Sequence, residues 1–349
     1  MDFKNAFNNI SRRQFLNIVK KDFPEIYNFI NFCYGGISDL QWLDFIINSE
    51  VGSQQGDPLG PLLFALVLHC FVKILQTMCQ FSLWYLDDGN LIVNKTQLID
   101  VIKVLQSNEA TEKGLFLNLS KCFIYSPKLP VWASSVKYFD PETEMEKTVP
   151  SGNSGTVVLG TPIGSQEFID DFILQEILIP LEKLLENIKL LKDSHTEFFL
   201  FRNCATFCKI AFLLRTLPPA QGDFLMKGYE SRMKDFLKHL VKIQHDLPEL
   251  AWFQASLQFR LGGLGLKVAK QHHEVAFAAS LIQCKFWLDQ VCSQQVNNEV
   301  NSLIMKFTSS LRSQFPQDFP TEEDIRGACK TQQPLQKSFS SCIDKCLGW

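Results

Sequence analysis

Two short apolar runs, Gln80–Trp84 and Asn90–Val93, flank the segment Tyr85-Leu86-Asp87-Asp88-Gly89. Aromatic and β-branched residues on either side of an Asp-Gly pair predict a β-hairpin whose tip carries two adjacent carboxylates. Upstream, Val51-Gly52-Ser53-Gln54-Gln55-Gly56-Asp57-Pro58-Leu59-Gly60-Pro61 leads into an apolar stretch reaching Val72. Asp57 suits an N-cap and Pro58 or Pro61 a first turn, so a buried helix is expected from about Pro58 to Cys79. Ser11 with Gln14 reads as a capping box opening a helix to about Asp22, and Pro24 opens another that ends at Gly35-Gly36. A strand pair follows through Trp42 to Asn48. Thr96 to Lys113 reads as one amphipathic helix with Leu98, Ile102 and Leu105 on one face, closed by Gly114, and a strand is expected near Cys122–Tyr125.

Beyond this point the character changes. Residues 127–155 are rich in Pro, Ser, Gly and charge and read as an irregular insertion. From Asp170 the pattern is helical, with Leu-rich spacing through Leu191 and again from Phe198 to Leu214; the chain after Leu247 is also mostly helical. The final stretch is polar and weakly periodic.

Side chains alternate faces along a strand, so neighbouring aspartates share a direction only where a turn reorients one of them. Concentrated carboxylates are costly without a cation, and oxygen-rich sites suit magnesium. An ordinary Asp-Gly turn is the alternative. The glycine-rich loop likewise reads either as a plain connection or as backbone approached closely by a nucleotide, with Gln54 or Gln55 offering amide hydrogen bonds.

Taken together, these segments resemble the reverse transcriptases of non-LTR retrotransposons. Asp2-Phe3-Lys4-Asn5-Ala6-Phe7 is similar to their first palm motif, Gln55 to Phe64 to the second, and Tyr85-Leu86-Asp87-Asp88 to the third. Gly114-Leu115-Phe116-Leu117-Asn118-Leu119-Ser120-Lys121-Cys122 is similar to the fourth, and Leu159-Gly160-Thr161-Pro162-Ile163-Gly164 to the primer-contacting fifth. The resemblance implies an α+β fold, with a palm of antiparallel sheet and packed helices over 1–126. It places an insertion with the primer-contacting motif over 127–165, a helical thumb over 166–246 and a helical region of unknown role over 247–349.

The implied reaction is RNA-directed DNA polymerisation, an in-line displacement assisted by two metal ions roughly 3.5–4 Å apart. The resemblance assigns Asp2, Asp87 and Asp88 as metal ligands (two Mg2+, or Mn2+). Lys121 is either the general acid that neutralises pyrophosphate or a plain surface lysine. Phe3, Phe7, Gln55 and Gly56 would surround the nucleotide, with Phe7 equally readable as a core aromatic. Tyr85, Leu159 and Gly160 would meet the primer end, although Tyr85 could equally fill a half-buried strand face. The implied partners are an RNA template, a DNA primer and deoxynucleoside triphosphates.

One departure qualifies this. The family carries a fingers region before its first palm motif, whereas only Met1 precedes Asp2 here. Asp2 is therefore expected to lack flanking strand to fix it. By lineage the reading is a retroelement-derived reverse transcriptase fragment truncated before that motif; the alternative is an inactive remnant that folds and binds nucleic acid, and with the fingers missing no primer extension is expected of the chain as written.

Composition adds bounds. The chain has 349 residues, a formal net charge of −3 and 30 phenylalanines within 46% hydrophobic content. Core material is ample, and charge alone would not suggest a nucleic-acid enzyme. Basic residues cluster at Arg12-Arg13 with Lys20-Lys21 and at Lys183, Lys189 and Lys192. The apolar run from Pro61 to Val72 reads as too short to span a bilayer. No secretory signal is visible, so an intracellular location is expected, the nucleus among the candidates. The 11 cysteines read as free thiols. Cys329, Cys342 and Cys346 form no C-x-x-C pair, and zinc is not favoured.

Overall fold

The computed structural model describes residues 1–54, 56–128, 136–140 and 145–314. Cys329, Cys342, Cys346 and the polar end of the chain lie outside these residues, as does Gln55. The chain divides into two compact units, Met1–Leu159 and Gly160–Trp349.

The first unit opens with α1 (Ala6–Asn9), α2 (Arg12–Asp22) and α3 (Pro24–Tyr34), followed by the hairpin β1 (Ser38–Trp42) and β2 (Phe45–Ser49). The central helix α4 (Gly60–Met78) begins at Gly60 rather than Pro58, with Pro61 in its first turn. Asp57 does not cap it. Its carboxylate instead accepts the Leu59 N–H at 2.9 Å, a local turn just ahead of the helix. Leu63, Phe64, Val67, Leu68, Phe71 and Leu75 are buried at helical spacing and form the spine of the core. By length and composition α4 could cross a membrane, contrary to the shorter estimate from sequence. Its buried stripe makes it the core helix of this unit.

After α4 come β3 (Phe81–Tyr85) and β4 (Asp88–Ile92), then α5 (Lys95–Leu105) and α6 (Asn108–Glu112). The single helix expected over 96–113 is broken because Ser107 caps α6, accepting the Ala110 N–H at 3.3 Å. The unit ends with β5 (Ile124–Tyr125), β6 (Lys137–Asp140), β7 (Met145–Thr148), β8 (Ser151–Gly152) and β9 (Gly155–Val158). The stretch expected to be irregular thus contains the antiparallel pair β6–β7. β5 pairs in parallel with β8 rather than completing a β-α-β sheet with the earlier strands.

Among the described residues the antiparallel sheet of the first unit is reduced to two-stranded pairs. Its nucleus is the antiparallel β3–β4 hairpin. Met1 exchanges two backbone bonds with Gly89 of β4, its amino group donating to the Gly89 carbonyl at 2.7 Å and its carbonyl accepting the Gly89 N–H at 3.1 Å. This reciprocal pair is the signature of antiparallel neighbours. On its other side the N-terminal segment bridges Phe3 to Leu117. Lys4 donates to Phe116 at 2.8 Å, and Asn118 donates to the Asp2 carbonyl at 2.9 Å.

The second unit starts with β10 (Thr161–Gly164) and α7 (Gln166–Phe172), which runs through a π-helical segment, Ile173–Leu178, into α8 (Ile179–Lys189). Pro180 lacks an N–H to donate into the preceding turn, and the wider π turn accommodates that loss. Then follow α9 (Ser194–Cys204), α10 (Ala211–Thr216), α11 (Asp223–Val241), α12 (Glu249–Ser256), α13 (Ala269–Val291) and α14 (Gln294–Gln314). The helical reading holds, although the expected run from Phe198 to Leu214 is two helices separated at Ala205–Ile210. Helices before and after residue 246 share one core, in which Phe201, Leu214, Tyr229 and Phe236 meet Trp252, Leu266 and Ala276.

Two glycines tie the first unit's backbone together. Gly114 has φ +77°, and a Cβ there would stand 1.8 Å from the Asn9 carbonyl oxygen; Gly52, at φ +76°, would meet the Asn8 oxygen at 2.3 Å. Neither conformation nor space admits a side chain. Gly114→Ala is expected to cost about 3 kcal/mol in urea unfolding, whereas Gly36→Ala, with open space and no positive φ, is expected to cost under about 1 kcal/mol.

Candidate active site

The hairpin pairs Tyr85 with Asp88 and Trp84 with Gly89, so the turn residues are Leu86 and Asp87, not Asp88 and Gly89. Gly89 is needed inside the strand for a different reason. The Trp84 indole lies across it, with Cζ3 only 2.4 Å from where a Cβ would be. Leu86 instead takes the left-handed turn position at φ +55°. That conformation costs a non-glycine residue about 1–2 kcal/mol, and it turns the chain so that Asp87 and Asp88 leave the tip in succession.

Asp2 reaches the same place through the backbone bonds that flank it. It does not fray. Met1 is held on Gly89 and Phe3 on Leu117, while Asn118 donates its side-chain Nδ2 to Asp2 Oδ2 at 3.2 Å. Asn118 is itself fixed by Ser120, whose hydroxyl donates to Asn118 Oδ1 at 2.6 Å. Burial holds the Asp87 carboxyl above the usual carboxylate range, and the charges of Asp88 and Asp2 push it the same way. Burial also raises the nearby Cys122 thiol, outweighing a hydrogen bond with the Asp2 backbone that lowers it, so this cysteine is an unreactive neighbour.

Carboxylate oxygens are the right donors for a hard divalent cation, and their mutual repulsion is what such a cation relieves. Among the described residues, however, no three of His, Cys, Asp and Glu are gathered closely enough to hold one metal ion as they stand. The donor chemistry fits; the three side chains would have to draw together around the ion.

The glycine-rich loop is anchored rather than free. Gly52 donates to Ile10 at 2.9 Å and Ser53 to Phe7 at 2.8 Å. The Tyr34 hydroxyl donates to Asp57 and accepts the Gln54 N–H at 3.2 Å. Burial first, then the bond to Asp57, pushes the Tyr34 hydroxyl up to about 12, so it stays a donor at all physiological pH. Gly56, at φ +91°, is exposed with open space around it.

The remaining sequence-derived candidates divide. Phe3 is buried and stacks on Trp84 at 5.9 Å between centroids, a core position with no free face for a nucleotide. Phe7 is half-buried and stacks on Phe64 at 4.8 Å, which matches its reading as a core aromatic and leaves part of the ring open. Tyr85 is 64% exposed beside the turn. Lys121 is exposed, its N–H donating to the Asn118 carbonyl at 3.0 Å. Leu159 and Gly160, both at positive φ, stand where the first unit ends and the second begins.

Sequence reasoning overlooked Asn118 and Tyr34. Asn118 carries a usable signal, since a buried amide between Leu117 and Leu119 needs a polar partner. Tyr34 reads as one more aromatic in an apolar helix, and nothing local distinguishes it.

Residues 1–140 match the family model described as reverse transcriptase (RNA-dependent DNA polymerase). That span holds Asp2, Asp87, Asp88 and the glycine-rich loop. No curated protein matches the chain.

A pH test follows from Asp87. A carboxyl raised on folding contributes stability below its ordinary value of 3.8 and loses it as pH rises through the folded value. Asp87→Asn is therefore expected to raise the melting temperature of the metal-free chain at pH 7. The advantage should vanish at pH 3, where both forms are uncharged. A variant less stable at pH 7 would contradict the electrostatic reading.

Proposed function

We propose that the first unit is the palm of a reverse transcriptase that extends a DNA primer along an RNA template, and that its lineage is that of non-LTR retroelements. The observation that carries this is the placement of Asp2, remote in sequence, on the strand beside the hairpin of Asp87 and Asp88, near enough that its charge raises Asp87. The family match over residues 1–140 supports it.

In this reading the primer 3′-oxygen forms a bond to the α-phosphorus of a deoxynucleoside triphosphate. The bond from that phosphorus to the bridging oxygen breaks, and pyrophosphate leaves. Asp2 and Asp87 would hold magnesium or manganese, with Asp88 in support, and the bound ions would supply charge stabilisation to the attacking and departing oxygens. Asn118 keeps the Asp2 carboxylate oriented through its Nδ2 bond. Phe7 would lie under the incoming sugar, with Gln55 and Gly56 along the nucleotide. Tyr85, Leu159 and Gly160 would meet the primer end, and Lys121 would neutralise the leaving group. Residues 166–246 would serve as the thumb, holding an RNA–DNA duplex through backbone and minor-groove contacts.

A second reading, a palm that binds nucleic acid without polymerising, is favoured by the carboxylates not forming a ready ligand set. Primer extension on an RNA template with magnesium or manganese separates the two. Incorporation is expected, reduced about a hundredfold or more by Asp87→Asn or Asp2→Asn. Binding of the primer–template duplex without incorporation would favour the second reading, and incorporation insensitive to both substitutions would defeat the site assignment.

A further inference from the structure

The first unit contains a cavity of about 400 Å³ that none of Asp2, Asp87 and Asp88 lines. Its wall includes Arg12, Arg13 and Asn17 of α2, Tyr27 of α3, Gly36 and Glu50. The size suits a single nucleotide.

The wall is short of negative charge. Arg12 is 6% exposed, and its guanidinium donates to oxygens of Gly36, Ser49, Val51 and Gly52 at 2.7–3.4 Å. Every one of these acceptors is neutral. Buried charges are ordinarily paired, yet among the described residues neither Arg12 nor Arg13 has a carboxylate at ion-pair distance. Glu50 acts on Arg12 only at longer range. Two guanidiniums against one carboxylate leave the cavity a net cation.

The approach to it is built on one helix face. Arg13, Asn17 and Lys20 follow at spacings of four and three along α2, and all are exposed. Lys20 Nζ lies 5.6 Å from the centroid of the Tyr27 ring. The Arg12–Lys21 basic cluster, noted in the sequence and unused at the carboxylates, thus runs past an aromatic face into a cationic hollow. Cations for a phosphate and a ring for a base are the two elements of sequence-tolerant single-strand binding.

We propose that this cavity binds a nucleotide, phosphate at Arg13 and base against Tyr27, as one residue of a single strand of RNA or DNA that tracks along α2. The site does not depend on catalysis at the carboxylates. A free mononucleotide presents the same chemistry, so the test carries both. Gly36 offers a clean block: its Cβ side is open, and it has no left-handed φ, so Gly36→Leu fills the cavity without backbone strain.

The experiment measures binding of 5′-AMP by calorimetry and of a fluorescent oligoadenylate by anisotropy to the full chain, its Gly36→Leu form and its Arg13→Glu form. Both substitutions are expected to weaken the oligonucleotide about tenfold, with Arg13→Glu lowering its salt slope by about 1. A 4-thiouridine oligonucleotide is expected to cross-link within Pro24–Tyr34. Wild-type binding by both variants with no such cross-link would overturn the proposal. AMP bound as tightly as the oligonucleotide would overturn the strand. Loss of primer extension with cavity binding intact would count against the polymerase reading alone.

Discussion

The first unit depends on a few backbone hydrogen bonds made by its first four residues. Met1 through Lys4 lie between β4 and the segment Phe116–Asn118, and each side of the segment donates and accepts. Without that insertion the hairpin would be an isolated two-stranded ladder, marginal in water. With it, Phe3 is buried against Trp84, Asp2 is held at the carboxylates, and the α1 backbone closes against Gly52 and Gly114. The same bonds that build the core also assemble the charges. Loss of the strand would therefore remove packing and chemistry together.

Much of this was legible in the sequence because the long elements carry strong patterns. α2, α3 and α4 followed from Pro24, the apolar spacing and, for α3, the Gly35-Gly36 pair that ends it, and the helical second unit followed from its Leu-rich spacing. The acidic residues were legible as a group because resemblance to a family fixed their order. Turns were the weak point. Leu43, Leu86 and Leu159 all take positive φ, a conformation for which leucine carries no signal. Turn rules looked for Asp-Gly and so put Gly89 at the tip, when the glycine was serving the Trp84 ring. Pairings distant in sequence were equally hidden: no local pattern joins Met1 to Gly89 or Asn118 to Asp2.

Two kinds of polar burial organise the unit. Buried Asn118, held by the hydroxyl of the exposed Ser120, orients one carboxylate. Arg12 is a different device, a single cation tying α2 to four separate carbonyl or hydroxyl-bearing residues that bracket the β1–β2 hairpin and the glycine-rich loop. Truncating it would strand those oxygens, which makes it an anchor as well as a source of positive potential.

The central claim is that Asp2, Asp87 and Asp88 form one electrostatic site. The most direct measurement is a carbon-13 NMR titration of the Asp87 carboxyl in the metal-free chain, repeated in Asp2→Asn and Asp88→Asn. The account predicts a midpoint above 3.8 that falls in each variant without returning fully, because burial persists. A midpoint at 3.8 that ignores both substitutions would contradict it.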